Sequence, residues 1–165
     1  MRVGLGYDSH RFEKGRRLVI GGLEIPYNLG LSGHSDADIL IHALCDAILG
    51  AISEGDIGRH FPDTNPSYRN ISSMILLKHV VELAANKGFA VKQLDATVIL
   101  EKPKLSDHMS AMVRNVAAAL DMPEHCVSIK AKTNEGLGWI GHEEGAAAFV
   151  VVIMDSKSPH RGGDK

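Results

Sequence analysis

The sequence predicts an α+β fold: a mixed β-sheet with helices packed on one face, forming a single-domain two-layer sandwich. Three observations carry that expectation. The 165 residues match one ordinary domain and suffice to bury a core without staples. Along them the apolar period switches between two and about 3.6, in the order β, β, α, α, β, α, β, β. Those helices serve one side of the sheet, and none remain for the other. Burial of apolar sheet at about 25 cal/mol per Å² then favours self-association.

Arg2 to Phe12 reads as the first strand. Leu18-Val19-Ile20, after the basic turn Lys14-Gly15-Arg16-Arg17, reads as its hairpin partner. Leu23 to Leu31 contains Pro26, Asn28 and Gly30, which limits it to a short edge strand. After the polar loop Ser32-Gly33-His34-Ser35-Asp36, Asp38 can cap a helix carrying Ile39, Leu40, Leu44, Ala47, Ile48 and Ala51. Gly55 to Asn70 is rich in Gly, Pro, Asp, Thr and Asn and reads as a long loop, a kind often functional. A second helix spans Ser72 to Asn86 and ends at Gly88. Val91 to Leu100 is a strand punctuated by Pro103, and Ser106 to Leu120 is a third helix striped by Met109, Met112, Val113, Val116, Ala117 and Leu120. Val127 to Thr133 is a strand, and Ala146 to Met154 is apolar enough to be a fully buried one. Domain boundaries are thus residues 1–155, with 156–165 a disordered polar tail.

A formal net charge of −2 gives no reason to expect nucleic acid or an anionic membrane as partner. The two cysteines, Cys45 and Cys126, sit in apolar runs and fit a reducing compartment better than a disulfide framework. No signal peptide opens the chain, and no apolar run is long enough to span a bilayer. The expected location is cytoplasmic. A plastid-type protein lacking its transit peptide would read the same way.

Asp8 and His10 stand two apart on a strand and share a face, as joint metal ligation requires. Alone, the pair reads better as solvent-facing polar positions. His42, one turn into the first helix, changes the balance: a His₂Asp set with an open fourth position suits a catalytic zinc ion. Cys45 is a rival ligand, and Asp46, four residues after His42, can orient a ligand or its neighbour. His34 to Asp38 lies at a helix N-terminus, which attracts phosphate, although its carboxylates also serve as simple N-caps. Asp56-Ile57-Gly58 and Phe61-Pro62-Asp63-Thr64-Asn65 suit a ribose or small polyol, and equally suit ordinary turns. In Lys132-Thr133-Asn134-Glu135-Gly136, Lys and Thr can donate to phosphate while Glu135 can hold a divalent ion. His60, His79, His108, His125 and His160 read as surface or structural.

Gly4-Leu5-Gly6-Tyr7-Asp8-Ser9-His10-Arg11-Phe12, Ser32 to Asp38, Asp56-Ile57-Gly58, Phe61-Pro62-Asp63-Thr64 and Lys132-Thr133-Asn134-Glu135 resemble the 2-C-methyl-D-erythritol 2,4-cyclodiphosphate synthases. These are the cyclising enzymes of the non-mevalonate isoprenoid pathway. The resemblance runs from about Met1 to Met154. It implies zinc at Asp8, His10 and His42, and magnesium or manganese on the substrate diphosphate held by Glu135. Transition-state stabilisers fall on His34 and Thr133. The implied substrate is 4-diphosphocytidyl-2-C-methyl-D-erythritol 2-phosphate, with CMP released. Its cytidine pocket falls on Leu100-Glu101-Lys102-Pro103-Lys104-Leu105-Ser106 and Lys132 to Glu135. The erythritol and its phosphate fall on Asp56, Gly58 and Phe61 to Asn65, with Ile57, Ser9 and Ser35 beside them.

The resemblance also implies a homotrimer with active sites between subunits. Near its threefold axis this chain has Trp139 and His142 where Phe and Arg are expected. Ser106 replaces a common apolar residue, and Asn65 replaces an Asp. Two other readings use the same residues. One is a zinc phosphohydrolase, in which water replaces the tethered phosphate. The other is a zinc-stabilised binding module, which would need a closed four-ligand shell.

Overall fold

The computed structural model describes residues 1–156. Seven strands form: β1 (Arg2–Lys14), β2 (Leu18–Ile20), β3 (Leu23–Ile25), β4 (Leu29–Leu31), β5 (Phe89–Ile99), β6 (Val127–Lys132) and β7 (Gly145–Ser156). The helices are α1 (Ile39–Ala51), α2 (Ile57–His60), α3 (Ser73–Asn86), α4 (Met109–Ala119) and α5 (Gly138–Gly141). The main sheet has the order β4-β1-β7-β5-β6. It is mixed, because β5 and β6 run parallel while β1, β7 and β5 alternate in direction. Parallel neighbours need a crossover, and α4 lies between β5 and β6 in sequence. The expected α+β sandwich with helices on one face is borne out.

Several expected elements change. Leu18–Ile20 does not pair with the first strand. It forms a separate two-stranded ribbon with Leu23–Ile25, since Gly21 and Gly22, both at positive φ, turn the chain back at once. The region Leu23 to Leu31 therefore holds two strands, and β4 edges the main sheet against Phe12 to Lys14 of β1. The long loop contains α2 and a single 3₁₀ turn, Pro66–Tyr68. The third helix opens with a 3₁₀ turn at Ser106–His108 before α4 begins. Ser156 closes β7, and the rest of the expected tail lies outside the described residues.

The last strand is not buried on both sides. Ala146, Ala148, Val150, Val152 and Met154 face the core, while Phe149 and Val151 are exposed. Register places Leu5 opposite Val151 and Tyr7 opposite Phe149, so Val3, Leu5, Tyr7, Phe149 and Val151 share the helix-free face. Val3 is 62% and Leu5 65% exposed, high for large apolar residues on a sheet centre.

Candidate active site

Small residues bring the first strand and first helix together. On β1 the core-facing positions read Gly4, Gly6, Asp8, His10. A Cβ on Gly4 would lie 1.8 Å from the Ala47 carbonyl oxygen, and one on Gly6 1.8 Å from that of Ala43. Only glycine lets the α1 backbone lie this close to the strand. Helix α1 is buried on all sides except along His42, Asp46 and Gly50. These residues, four apart, form one stripe. The strand and helix patterns thus converge at one end, where Asp8 and His10 meet His42.

Asp38 fixes the helix start. Its fully buried carboxylate accepts from Ile41 N–H (3.1 Å), Gly21 N–H (2.9 Å) and Gly22 N–H (2.6 Å), tying the β2–β3 ribbon to the α1 N-terminus. Burial pushes its carboxyl up to about 6, against the pull of those three donors. Of the two aspartates expected to cap this helix, Asp38 is the cap.

One ligand atom from each of Asp8, His10 and His42 lies within 4.8 Å of the others, so the group can hold a metal ion. Asp8 Oδ2 is 3.0 Å from His10 Nε2 and 3.0 Å from His42 Nδ1. Burial raises the Asp8 carboxyl, but hydrogen bonds from His10 and His42 and their charge more than offset it. The group stays well below the usual carboxylate range. Burial lowers His42, yet Asp8 outweighs it and the imidazole is raised. One carboxylate and two imidazoles form a borderline-soft N₂O donor set that fits a divalent metal. Cys45, the rival ligand, is fully buried in the core and outside this group, its thiol pushed well up by burial.

A second feature is a cavity of about 300 Å³ lined by Leu100, Glu101, Pro103, Lys104, Leu105, Ser106, Met109, Ala131, Lys132 and Thr133. It joins the loop after β5 to the end of β6. Its walls are mostly apolar with a few polar groups, the character of a small-molecule pocket.

The YgbB family matches residues 1–155. The chain belongs to this family. Among curated relatives it is 54% identical to the 2-C-methyl-D-erythritol 2,4-cyclodiphosphate synthase of Syntrophus aciditrophicus (strain SB), over 93% of this chain and 97% of that one. The bifunctional IspDF of Campylobacter jejuni superposes with a TM-score of 0.91 at 41% identity, covering 94% of this chain and 42% of that longer one. The CDP complex of IspF from Plasmodium falciparum matches with a TM-score of 0.83 at 32% identity, over 95% and 97% of the chains. The resemblance read from the motifs is borne out, as is the expectation of an enzyme of this family.

In this member of the YgbB family the other expected residues fall into distinct places. His34 Nε2 lies 3.2 Å from the Asn65 carbonyl oxygen, and the His34 carbonyl accepts from Asn70 N–H at 2.8 Å. The polar loop and the end of the 56–65 segment therefore meet. Asp56 caps α2 by accepting from Arg59 N–H, and Asn65 caps the following 3₁₀ turn by accepting from Ser67 N–H. Phe61 packs edge-on to Tyr68 at 5.4 Å and stacks on His79 at 6.1 Å. Pro62, Asp63 and Thr64 are exposed, as are Gly58 and Trp139. His142 is exposed just after α5, Ile57 is half-buried, and Ser9 lines a small cavity with His10, Arg11, Trp139 and Glu144. Lys102 stays outside that cavity and pairs with Glu143 at 2.7 Å.

Glu101 has a role that its loop position did not suggest. Its Oε1 accepts from Asn134 N–H (2.8 Å) and Gly136 N–H (3.3 Å), pinning the turn that carries Thr133 and Glu135. Asn134 spends its amide on the Leu137 carbonyl at 2.7 Å. Thr133 donates to Glu135 Oε1 at 2.8 Å, and Glu135 itself lies outside the Asp8–His10–His42 group. Asp46 Oδ1 accepts from Ile57 N–H at 2.7 Å, anchoring the 56–65 segment to the helix of His42. Sequence reasoning missed Ser73 and Arg16. Ser73 Oγ is 2.8 Å from His42 Nε2, and Arg16 Nη2 donates to the Ser35 carbonyl at 2.6 Å. Neither position carries a local signal, since Ser73 reads as a helix-start residue and Arg16 as part of a basic turn.

Proposed function

We propose that the chain converts 4-diphosphocytidyl-2-C-methyl-D-erythritol 2-phosphate to 2-C-methyl-D-erythritol 2,4-cyclodiphosphate and CMP, in the non-mevalonate isoprenoid pathway. The observation that carries this reading is the joining of Asp8, His10 and His42 within ligand distance in a chain 54% identical to a synthase of that name. Asp8, His10 and His42 would hold zinc, and Glu135 would help hold magnesium or manganese on the diphosphate. Bound divalent cations supply the positive charge that offsets repulsion between two approaching phosphates.

The chain's residues do the rest. In the reaction an oxygen of the substrate's 2-phosphate attacks the β-phosphorus. The bond from that phosphorus to the bridging oxygen breaks, and CMP leaves with the oxygen. The attacking group is already anionic, so no side chain must remove a proton. We assign cytosine to the cavity that Leu100, Leu105, Ser106, Lys132 and Thr133 line. The 56–65 segment, tied to α1 by Asp46, holds the erythritol end. Holding both ends of one molecule supplies the orientation that lowers the barrier. His34 and Thr133 would turn their donors from the Asn65 carbonyl and Glu135 to the charge that grows in the transition state as substrate enters.

The assembly we infer is a homotrimer, supported by the exposed apolar face of β1 and β7. Five half-exposed apolar side chains there would gain by leaving water, which favours association of this face with another copy. Among the described residues no helix is long and apolar enough to cross a membrane. A cytoplasmic location fits that and the unpaired Cys45 and Cys126. The direct test is CMP release from the cytidine diphosphate substrate by the zinc-loaded chain. Release is expected from the native chain and not from His42→Ala, while no release from the native chain with zinc and magnesium present would reject the reading.

A further inference from the structure

His42 presents one ring nitrogen to the metal group and the other to a buried hydroxyl network. Nδ1 faces Asp8 Oδ2 at 3.0 Å. Nε2 lies 2.8 Å from Ser73 Oγ and 3.0 Å from Ser35 Oγ. Behind Ser73 stands Asp36. Its Oδ2 accepts from the Ser73 backbone N–H at 3.0 Å, and its Oδ1 accepts the Ser73 hydroxyl in a short bond.

Proton counting gives this network a direction. A carboxylate only accepts, and a serine hydroxyl has a single proton to donate. The Ser73 proton is committed to Asp36, so Ser73 Oγ can meet His42 Nε2 only as an acceptor. Nε2 must therefore carry a hydrogen. When a metal ion takes the place of the hydrogen that Nδ1 shares with Asp8, Nε2 keeps its own hydrogen and Nδ1 offers its lone pair on the side of Asp8 and His10.

Burial makes the arrangement rigid. Ser73 is fully buried at the start of α3, where Ser72 caps the helix by accepting from Met74 N–H. Asp36 N–H donates to the Ile71 carbonyl at 3.0 Å, fastening the loop after β4 to the chain entering α3. Ser35 is nearly as buried, and its Oγ also accepts from Ala37 N–H at 3.1 Å. The His42 ring is thus held from behind by groups on two separate segments.

We propose that Ser73, backed by Asp36, is a positioning residue that fixes the orientation and tautomer of His42 so that Nδ1 is the metal-binding nitrogen. This rests on the reading of Asp8, His10 and His42 as a zinc site. Partners behind a metal-bound histidine typically change metal affinity about 10–100-fold when removed.

The test uses zinc alone as probe, with the full-length chain and a competing chromophoric chelator. Zinc is expected to bind Ser73→Ala about 10–100-fold more weakly than the native chain. Turnover at saturating zinc should recover to within a few-fold of native, which separates loss of metal from loss of chemistry. Native-strength zinc binding by a folded Ser73→Ala chain would overturn the proposal and leave the zinc reading intact. If the native chain binds no zinc, the zinc reading and this inference fall together. Should Ser73→Ala fail to fold, the native protein still decides. Two-dimensional ¹H–¹⁵N NMR of its zinc-loaded imidazoles is expected to show hydrogen on Nε2 of His42, and hydrogen on Nδ1 would overturn the assignment.

Discussion

Replacing Gly6 by alanine tests whether strand–helix contact builds the metal group. Nothing about Gly6 is chemical: it touches no ligand and donates no side chain. Its added Cβ would lie 1.8 Å from the Ala43 carbonyl oxygen and 2.7 Å from Ala47 N. Both are rigid backbone atoms in the middle of α1, so no side-chain rotation can relieve the clash. To reach an ordinary contact of about 3.5 Å, strand and helix must separate by about 1.7 Å. Ala43 adjoins His42, so the shift carries His42 away from Asp8 and His10. Metal–ligand distances tolerate only about 0.2 Å of error. The substitution should therefore destabilise the chain by about 1–3 kcal/mol through overpacking and also empty the metal group. The assay is zinc content after dialysis, paired with the thermal midpoint of the metal-free chain. A Gly6→Ala protein with one zinc per chain and an unchanged midpoint would refute the reasoning, because the backbones would not be in contact as described.

Other outcomes follow from the same geometry. Thr133→Ala should keep its zinc and its affinity for CDP while losing about 10²–10³ in turnover, whereas Asp8→Ala should lose zinc and turnover together; metal analysis beside steady-state rates separates them. Leu5→Asp places a charge on the exposed apolar face of β1 and should convert the proposed trimer to smaller species by light scattering, with secondary structure retained. In the metal-free chain, the depressed Asp8 carboxyl contributes stability above its ordinary value and loses it as pH falls. The raised His42 contributes below its ordinary value and loses it as pH rises. The gap in thermal midpoint between native and Asp8→Asn, both metal-free, should thus be widest between about pH 4 and 6.5 and narrow on either side; a constant gap would dismiss the pairing.

The parts of this fold that local pattern controls were legible in the sequence. Helix α1 was readable from its apolar spacing and its Asp38 cap, and Asp8 with His10 from period two on one strand. Partner choice was not, because it depends on tertiary contacts. Leu18–Ile20 looked like the mate of β1, yet the tight turn at Gly21-Gly22 gave it to Leu23–Ile25 and left β1 to pair with β7. The apolar run from Ala146 to Met154 looked buried throughout because composition does not say whether the second face is covered within one chain. In the site, Asp8 and His10 were readable as a pair on one strand face, and His42 on the first helix tipped that pair from solvent-facing positions towards a metal set. Glu101 and Ser73 were not, since a carboxylate that pins a distant turn and a serine behind a histidine look like any loop Glu or helix-start Ser. Their roles exist only after residues about 30 apart have come together.

In the proposed reaction a tethered phosphate, and not water, attacks the β-phosphorus. Phosphorus NMR of the product made from 4-diphosphocytidyl-2-C-methyl-D-erythritol 2-phosphate, with zinc and magnesium present, tests it most directly. The expected spectrum shows two mutually coupled diphosphate resonances of a cyclic product together with the single resonance of CMP. An acyclic phosphate beside CMP would show hydrolysis, and would contradict the account even with the metal group intact.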